Sequence, residues 1–173
     1  MCLNLFIIIV LIFHPLISFA GEREFYWGHV PSPAPAVANS STAPADNTVV
    51  FAALALHGVG YKQGGKAPTA GLDCSGFVRY VFHEAHGVEL PGTSRELAQI
   101  GEKVGRDELQ PGDLVFYNTL RRAFSHVGIY LGENRFIHAP SSGGEVRIDD
   151  MTSKYWVGRF DGARRLLPAP LPR

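Results

Sequence analysis

The chain is short of cysteine, with only Cys2 and Cys74 among its 173 residues. Residues Leu3 to Phe19 are almost wholly apolar, broken by Asn4, His14, Pro15 and Ser18, and end in Ser18-Phe19-Ala20, a small-x-small pattern suited to signal peptidase. The stretch reads as an export signal, although its n-region carries no Lys or Arg. An uncleaved membrane anchor is the rival reading, since about 18 apolar residues is the lower limit for a span; Pro15 and the cleavage-like site favour removal. Cys2 lies too early, and in the wrong context, for lipid attachment. Cleavage after Ala20 leaves Cys74 alone, and a lone cysteine excludes an internal disulfide. Charge of one sign is also missing: 16 basic residues balance 16 acidic ones without a block of either. A nucleic-acid groove or polybasic membrane patch therefore gets no support. Cys-x-x-Cys and His-x-x-x-His spacings are absent as well, which counts against a zinc site, and neither metal nor cofactor is expected.

What is present suits one globular domain, because 46% apolar residues can bury a single sizeable core. Residues 21–46 are rich in Pro, Ala and Ser and cannot bury enough apolar surface to fold alone. They read as a tether, although Glu24-Phe25-Tyr26-Trp27 is more aromatic than a linker requires. Asn47-Thr48 is expected to cap a short helix through Val49 to Leu56.

The organising stretch is Gly71-Leu72-Asp73-Cys74-Ser75-Gly76-Phe77-Val78. Gly64, Gly65, Pro68 and Gly71 break regular structure before it, while Phe77, Val78, Val81, Phe82 and Ala85 recur behind it at helical spacing. Cys74 thus falls in the first turn of an amphipathic helix that ends at His86-Gly87. The unpaired N–H groups and positive dipole end there favour thiolate, the nucleophilic form. A buried, inert cysteine is the plainer alternative, and the polar flanks Asp73 and Ser75 argue against it. Thr93-Ser94-Arg95-Glu96 has capping-box spacing for a second short helix.

After Leu109 the periodicity changes to that of a sheet. Leu114 to Tyr117 reads as a short buried strand, and His126–Leu131 and Arg135–Ala139 as a hairpin joined by Gly132-Glu133-Asn134. Strand parity puts His126, Gly128 and Tyr130 on one face and Phe136 and His138 on one face of the return strand, so the two histidines can meet. Glu145–Ile148 and Ala163–Leu167 are two further expected strands. Cys74, His126 and His138 can then serve as nucleophile, base and orienting group. His83 and His86 lie roughly 13 to 18 Å down the helix from Cys74, at 1.5 Å per residue, and cannot reach the sulfur.

Leu72 to Val78, Leu109-Gln110-Pro111-Gly112-Asp113-Leu114-Val115-Phe116, His126 to Leu131 and Phe136-Ile137-His138-Ala139 together resemble the signature blocks of the NlpC-type cell-wall cysteine peptidases. The resemblance implies an α+β, papain-like fold with the cysteine-bearing helix packed on an antiparallel sheet, and hydrolysis of peptidoglycan peptides at stem or cross-link bonds involving diaminopimelate. It implies Cys74 as nucleophile, His126 as base and His138 as third member. Tyr61 would help hold the oxyanion, and Asp73 and Ser75 match positions that contact the substrate amine. The expected organisation is a signal peptide at 1–20, a tether at 21–46, a catalytic domain at 47–168 and a tail at 169–173. A monomer in the periplasm or cell envelope is expected, with a peptidoglycan peptide as substrate, no nucleic-acid partner, and room for a regulatory or targeting protein. The alternatives are a catalytically silent wall-binding module, a related amidase or acyltransferase, and a secreted antibacterial toxin.

Overall fold

The computed structural model describes residues 46–142 and 144–166. The expected signal peptide, tether and tail fall outside the described residues, apart from Asp46 at the end of the tether.

Asp46 caps the first helix, α1 (Asn47–Leu54), by accepting a hydrogen bond from the Val49 amide at 3.3 Å. The cap lies one residue ahead of the expected Asn47-Thr48, because the Asp46 carboxylate also reaches His86 Nε2 at 2.6 Å and its amide donates to the Pro111 carbonyl at 3.0 Å. Those contacts bind Asp46 to the folded domain. Two minimal strands follow, β1 (Lys66–Ala67) and β2 (Gly71–Leu72), paired antiparallel.

Helix α2 (Cys74–His86) is set by strong signals at both ends. The Asp73 side chain accepts from the Gly76 amide at 2.6 Å, and Gly87 ends the helix in the left-handed region at φ 67°. Phe77, Val78, Val81 and Phe82 form its buried stripe. Removing each such side chain from water contributes about 1.5–3 kcal/mol, which holds the helix down on the sheet. Thr93 and Glu96 complete the expected capping box on α3 (Ser94–Leu97).

The main sheet has six antiparallel strands: β3 (Glu102–Val104), β4 (Leu114–Tyr117), β5 (His126–Gly132), β6 (Arg135–His138), β7 (Arg147–Asp150) and β8 (Phe160–Arg165), in the order β3-β8-β4-β5-β6-β7. A short helix, α4 (Lys154–Val157), joins the last two. Glu133 and Asn134, both at positive φ (52° and 57°), make the tight β5–β6 turn. The other boundaries move. β7 starts at Arg147 rather than Glu145, since Glu145 is spent on an isolated bridge to Gly60. β8 starts at Phe160 rather than Ala163, because Phe160 already pairs with Tyr117 across a bulge.

Both sheet faces are covered, so β4 reads as an unbroken apolar run. Leu114, Phe116, Val127, Ile129 and Ile137 pack against α1 and α2 in a largely aliphatic core. Val115, Tyr117, Tyr130, Phe136, Met151 and Trp156 fill the opposite face, which is mainly aromatic.

Candidate active site

Cys74 is the first residue of α2 and belongs to the helical side of the sheet. Three amides, of Val127, Ser75 and Cys74 itself, are directed at its sulfur. Val127 follows His126, so the sulfur sits at the beginning of β5, where the helical and aromatic faces meet. Burial and then the Asp73 carboxylate push the thiol up to about 11, against the lowering effect of the three amides. This reverses the expectation that the helix end favours thiolate: desolvation of a half-buried sulfur outweighs the dipole.

The sheet brings His126 and His138 together as parity predicts, with Nε2 of the first 2.7 Å from Nδ1 of the second and the rings edge to face. Their strands do not place them directly opposite. Ile129 pairs with Ile137 and Tyr130 with Phe136, and that register sets Gly128 opposite His138 and His126 on the diagonal. The missing side chain matters, because a Cβ on Gly128 would lie 2.7 Å from the Phe136 ring and 3.0 Å from His138 Cβ. Burial, and next the neighbouring His138, bring the His126 pKa down to about 3. Both shifts favour the neutral form, of the thiol and of the imidazole alike.

A fourth group, beyond Cys74, His126 and His138, carries no signal of its own in the sequence pattern. His138 Nε2 lies 3.0 Å from Asp149 Oδ2 on β7. Arg147 Nε and Nη2 donate to the same carboxylate at 3.1 and 3.3 Å, and Trp156 Nε1 donates at 3.0 Å. The hydrogen bond to His138, burial notwithstanding, holds the Asp149 carboxyl well below the usual range. Trp156 also stacks on His126, with ring centroids 5.9 Å apart and 22° between planes, and meets His138 edge-on. Continuing the alternation of the expected Glu145–Ile148 strand by one residue would have reached Asp149.

Tyr61 lies in the same neighbourhood: burial, then Cys74 and Asp73, raise its pKa. Asp73 and Ser75 are turned inward. Asp73 accepts from the Gly76 and Gly64 amides at 2.6 and 2.9 Å, and Ser75 Oγ is 3.0 Å from both Asp73 Oδ1 and the Gly92 carbonyl oxygen. Their polar atoms are thus engaged in fixing the start of α2. A cavity of about 530 Å³ opens beside His126, bordered also by Arg147, Asp149, Tyr155 and Trp156.

A cysteine at the head of a helix, laid on an antiparallel sheet whose histidine-bearing strand brings the Val127 amide to its sulfur, defines the papain-like α+β class. The chain belongs to the NlpC/P60 family, whose sequence pattern matches residues 58–165. It is similar to the murein DD-endopeptidase MepS/murein LD-carboxypeptidase of Escherichia coli strain K12, at 45% identity over 113 residues that cover 64% of this chain and 57% of the relative. The gamma-DL-glutamyl hydrolase of Bacillus subtilis strain 168 is 38% identical over 153 residues, which cover 88% of this chain and 37% of that one. The chain therefore spans between 37% and 57% of the length of these relatives. Among solved structures, an NlpC/P60 family protein from Bacillus cereus ATCC 10987 superposes with TM-score 0.66 at 30% identity, over 72% of this chain and 41% of the other. The NlpC/p60 domain of the peptidoglycan hydrolase SagA gives 0.61 at 32% identity, over 70% and 98%.

Proposed function

We propose that this chain is an exported cysteine endopeptidase that hydrolyses peptide bonds of bacterial peptidoglycan, at stem or cross-link bonds involving diaminopimelate. The observation that carries the reading is the convergence of Cys74, at the head of α2, with the hydrogen-bonded pair His126 and His138. Cys74 Sγ attacks the scissile carbonyl carbon while His126 removes the thiol proton. The raised thiol pKa and lowered imidazole pKa favour a proton transfer that accompanies attack over a standing ion pair. The oxyanion is received by the Cys74 amide and the Tyr61 hydroxyl. His126 then protonates the leaving amine, and water, deprotonated by His126, releases the acyl group from sulfur. His138 holds the His126 ring. The relatives carry different bond names, a gamma-DL-glutamyl hydrolase and a DD-endopeptidase, and both kinds of bond stay within the proposal.

The test is digestion of isolated peptidoglycan with protein lacking residues 1–20, beside its Cys74→Ala variant, with mass spectrometry of the soluble products. New fragments from the parent alone support the peptidase, and their masses name the bond. Fragments from both proteins, or from neither, overturn it.

A further inference from the structure

The relay of hydrogen bonds does not stop at His138, and its last member decides how the others are protonated. Both relay contacts follow the same geometry. His126 meets His138 on the β5–β6 diagonal, and His138, paired with Arg147 across β6–β7, meets Asp149 on the next diagonal. The line Cys74, His126, His138, Asp149 therefore runs obliquely across three strands. We propose that Asp149 is a positioning residue that fixes the tautomers of both histidines and so selects the nitrogen of His126 that acts as base. This rests on the hydrolase reading above, yet makes its own claim.

An ionised carboxylate only accepts hydrogen bonds, so His138 must carry its proton on Nε2 and donate it to Asp149 Oδ2, 3.0 Å away. A neutral imidazole has one N–H, which leaves His138 Nδ1 as an acceptor. His126 Nε2, 2.7 Å from it, must then be the donor. The lone pair of His126 is thereby confined to Nδ1, the nitrogen free to take the thiol proton. Asp149 is itself held for this task. Arg147 Nη2, Trp156 Nε1 and His138 Nε2 all converge on Oδ2, while Arg147 Nε takes Oδ1. Among the described residues the carboxylate makes no hydrogen bond to the sulfur or to His126. The buried Tyr117 hydroxyl and Arg106 complete the polar surroundings of this face.

The experiment reads tautomers directly, by long-range ¹⁵N–¹H correlation spectra of the full chain, beside kcat and KM on a peptidoglycan fragment. The unsubstituted chain should show Nε2–H on both histidines. In Asp149→Ala, His138 should lose that preference, His126 should become a mixture of tautomers, and kcat should fall by at least about tenfold with KM little changed. Asp149→Asn, whose amide oxygen can occupy the Oδ2 position where three donors converge, should keep the parent tautomers and most of kcat. Nδ1–H on His138 in the parent would overturn the proposal, as would unaltered tautomers in Asp149→Ala. Tautomers that shift as stated in a chain that cleaves no wall would uphold the positioning role and sink the hydrolase reading instead. The same spectra show whether Asp149→Ala is folded; if it is not, Asp149→Asn decides, and a loss of the Nε2–H tautomers there overturns the proposal.

Discussion

The two faces of the sheet do different work with equally buried residues. On the helical face Phe77, Val81, Leu114, Phe116 and Ile129 are fully buried, and aliphatic side chains of similar volume can exchange with modest loss. On the opposite face Tyr117, Phe136 and Trp156 pack at centroid distances of 4.6 to 5.0 Å, with His126 and His138 among them. One face anchors the helix that delivers the sulfur. The other fixes the angle of two imidazoles, and rings do this better than aliphatic chains because each contact has a preferred orientation. The lesson is that burial alone does not tell a stabilising core from an aiming device.

Four measurements would break or sharpen that division. Phe77→Ala should have the largest effect, costing about 3–5 kcal/mol of stability while leaving kcat nearly unchanged below the melting transition. Denaturant melts beside initial rates check it, and a large fall in kcat would blur the two roles. Acid should come next. The His126 pKa is depressed from 6.5 to about 3 in the folded chain, so the unfolded chain binds more protons between those values. Its contribution is complete above about pH 6.5 and is lost as pH falls towards 3, amounting to several kcal/mol at about 1.36 kcal/mol for each unit of the shift. Melting temperature against pH should decline over that window, and His126→Gln should flatten the decline.

Gly128→Ala should cost about 1–3 kcal/mol through overpacking and, unlike Phe77→Ala, should lower kcat, because the added methyl presses on Phe136 and His138. Equal kcat in Gly128→Ala and its parent would remove the aiming role from this face. The smallest effect belongs to Arg135→Ala. Its ion pair with Glu133 at 2.7 Å is exposed on both sides, so thermal melts should change by less than about 0.5 kcal/mol.

Local signals made much of this legible. The helix from Cys74 to His86, the Thr93–Glu96 capping box, β4 and the β5–β6 hairpin each rest on residues within a few positions of one another, and each formed where the spacing put it. Alternation alone sufficed to bring His126 to His138. What the chain did not disclose depends on distant partners. β3 is mostly exposed and polar, and becomes a strand because Glu102, Lys103 and Val104 pair with Arg165, Arg164 and Ala163. Asp149 joins the site through the register of β7 against β6, which follows a loop whose length sets no register. The direction of the Cys74 pKa is hidden for a related reason: the helix end is visible in sequence, whereas the burial that raises the thiol is not.

The contacts of Asp46 have a mechanical consequence. Its amide, one carboxylate oxygen and the other are tied to the 110–113 turn, the head of α1 and the tail of α2. A pull on the chain from its N-terminal side would enter the domain at that knot and divide among three elements. The tail of α2 lies roughly 18 Å from Cys74, twelve residues at about 1.5 Å each. The share of the load that enters α2 therefore arrives at the end of the helix away from the sulfur.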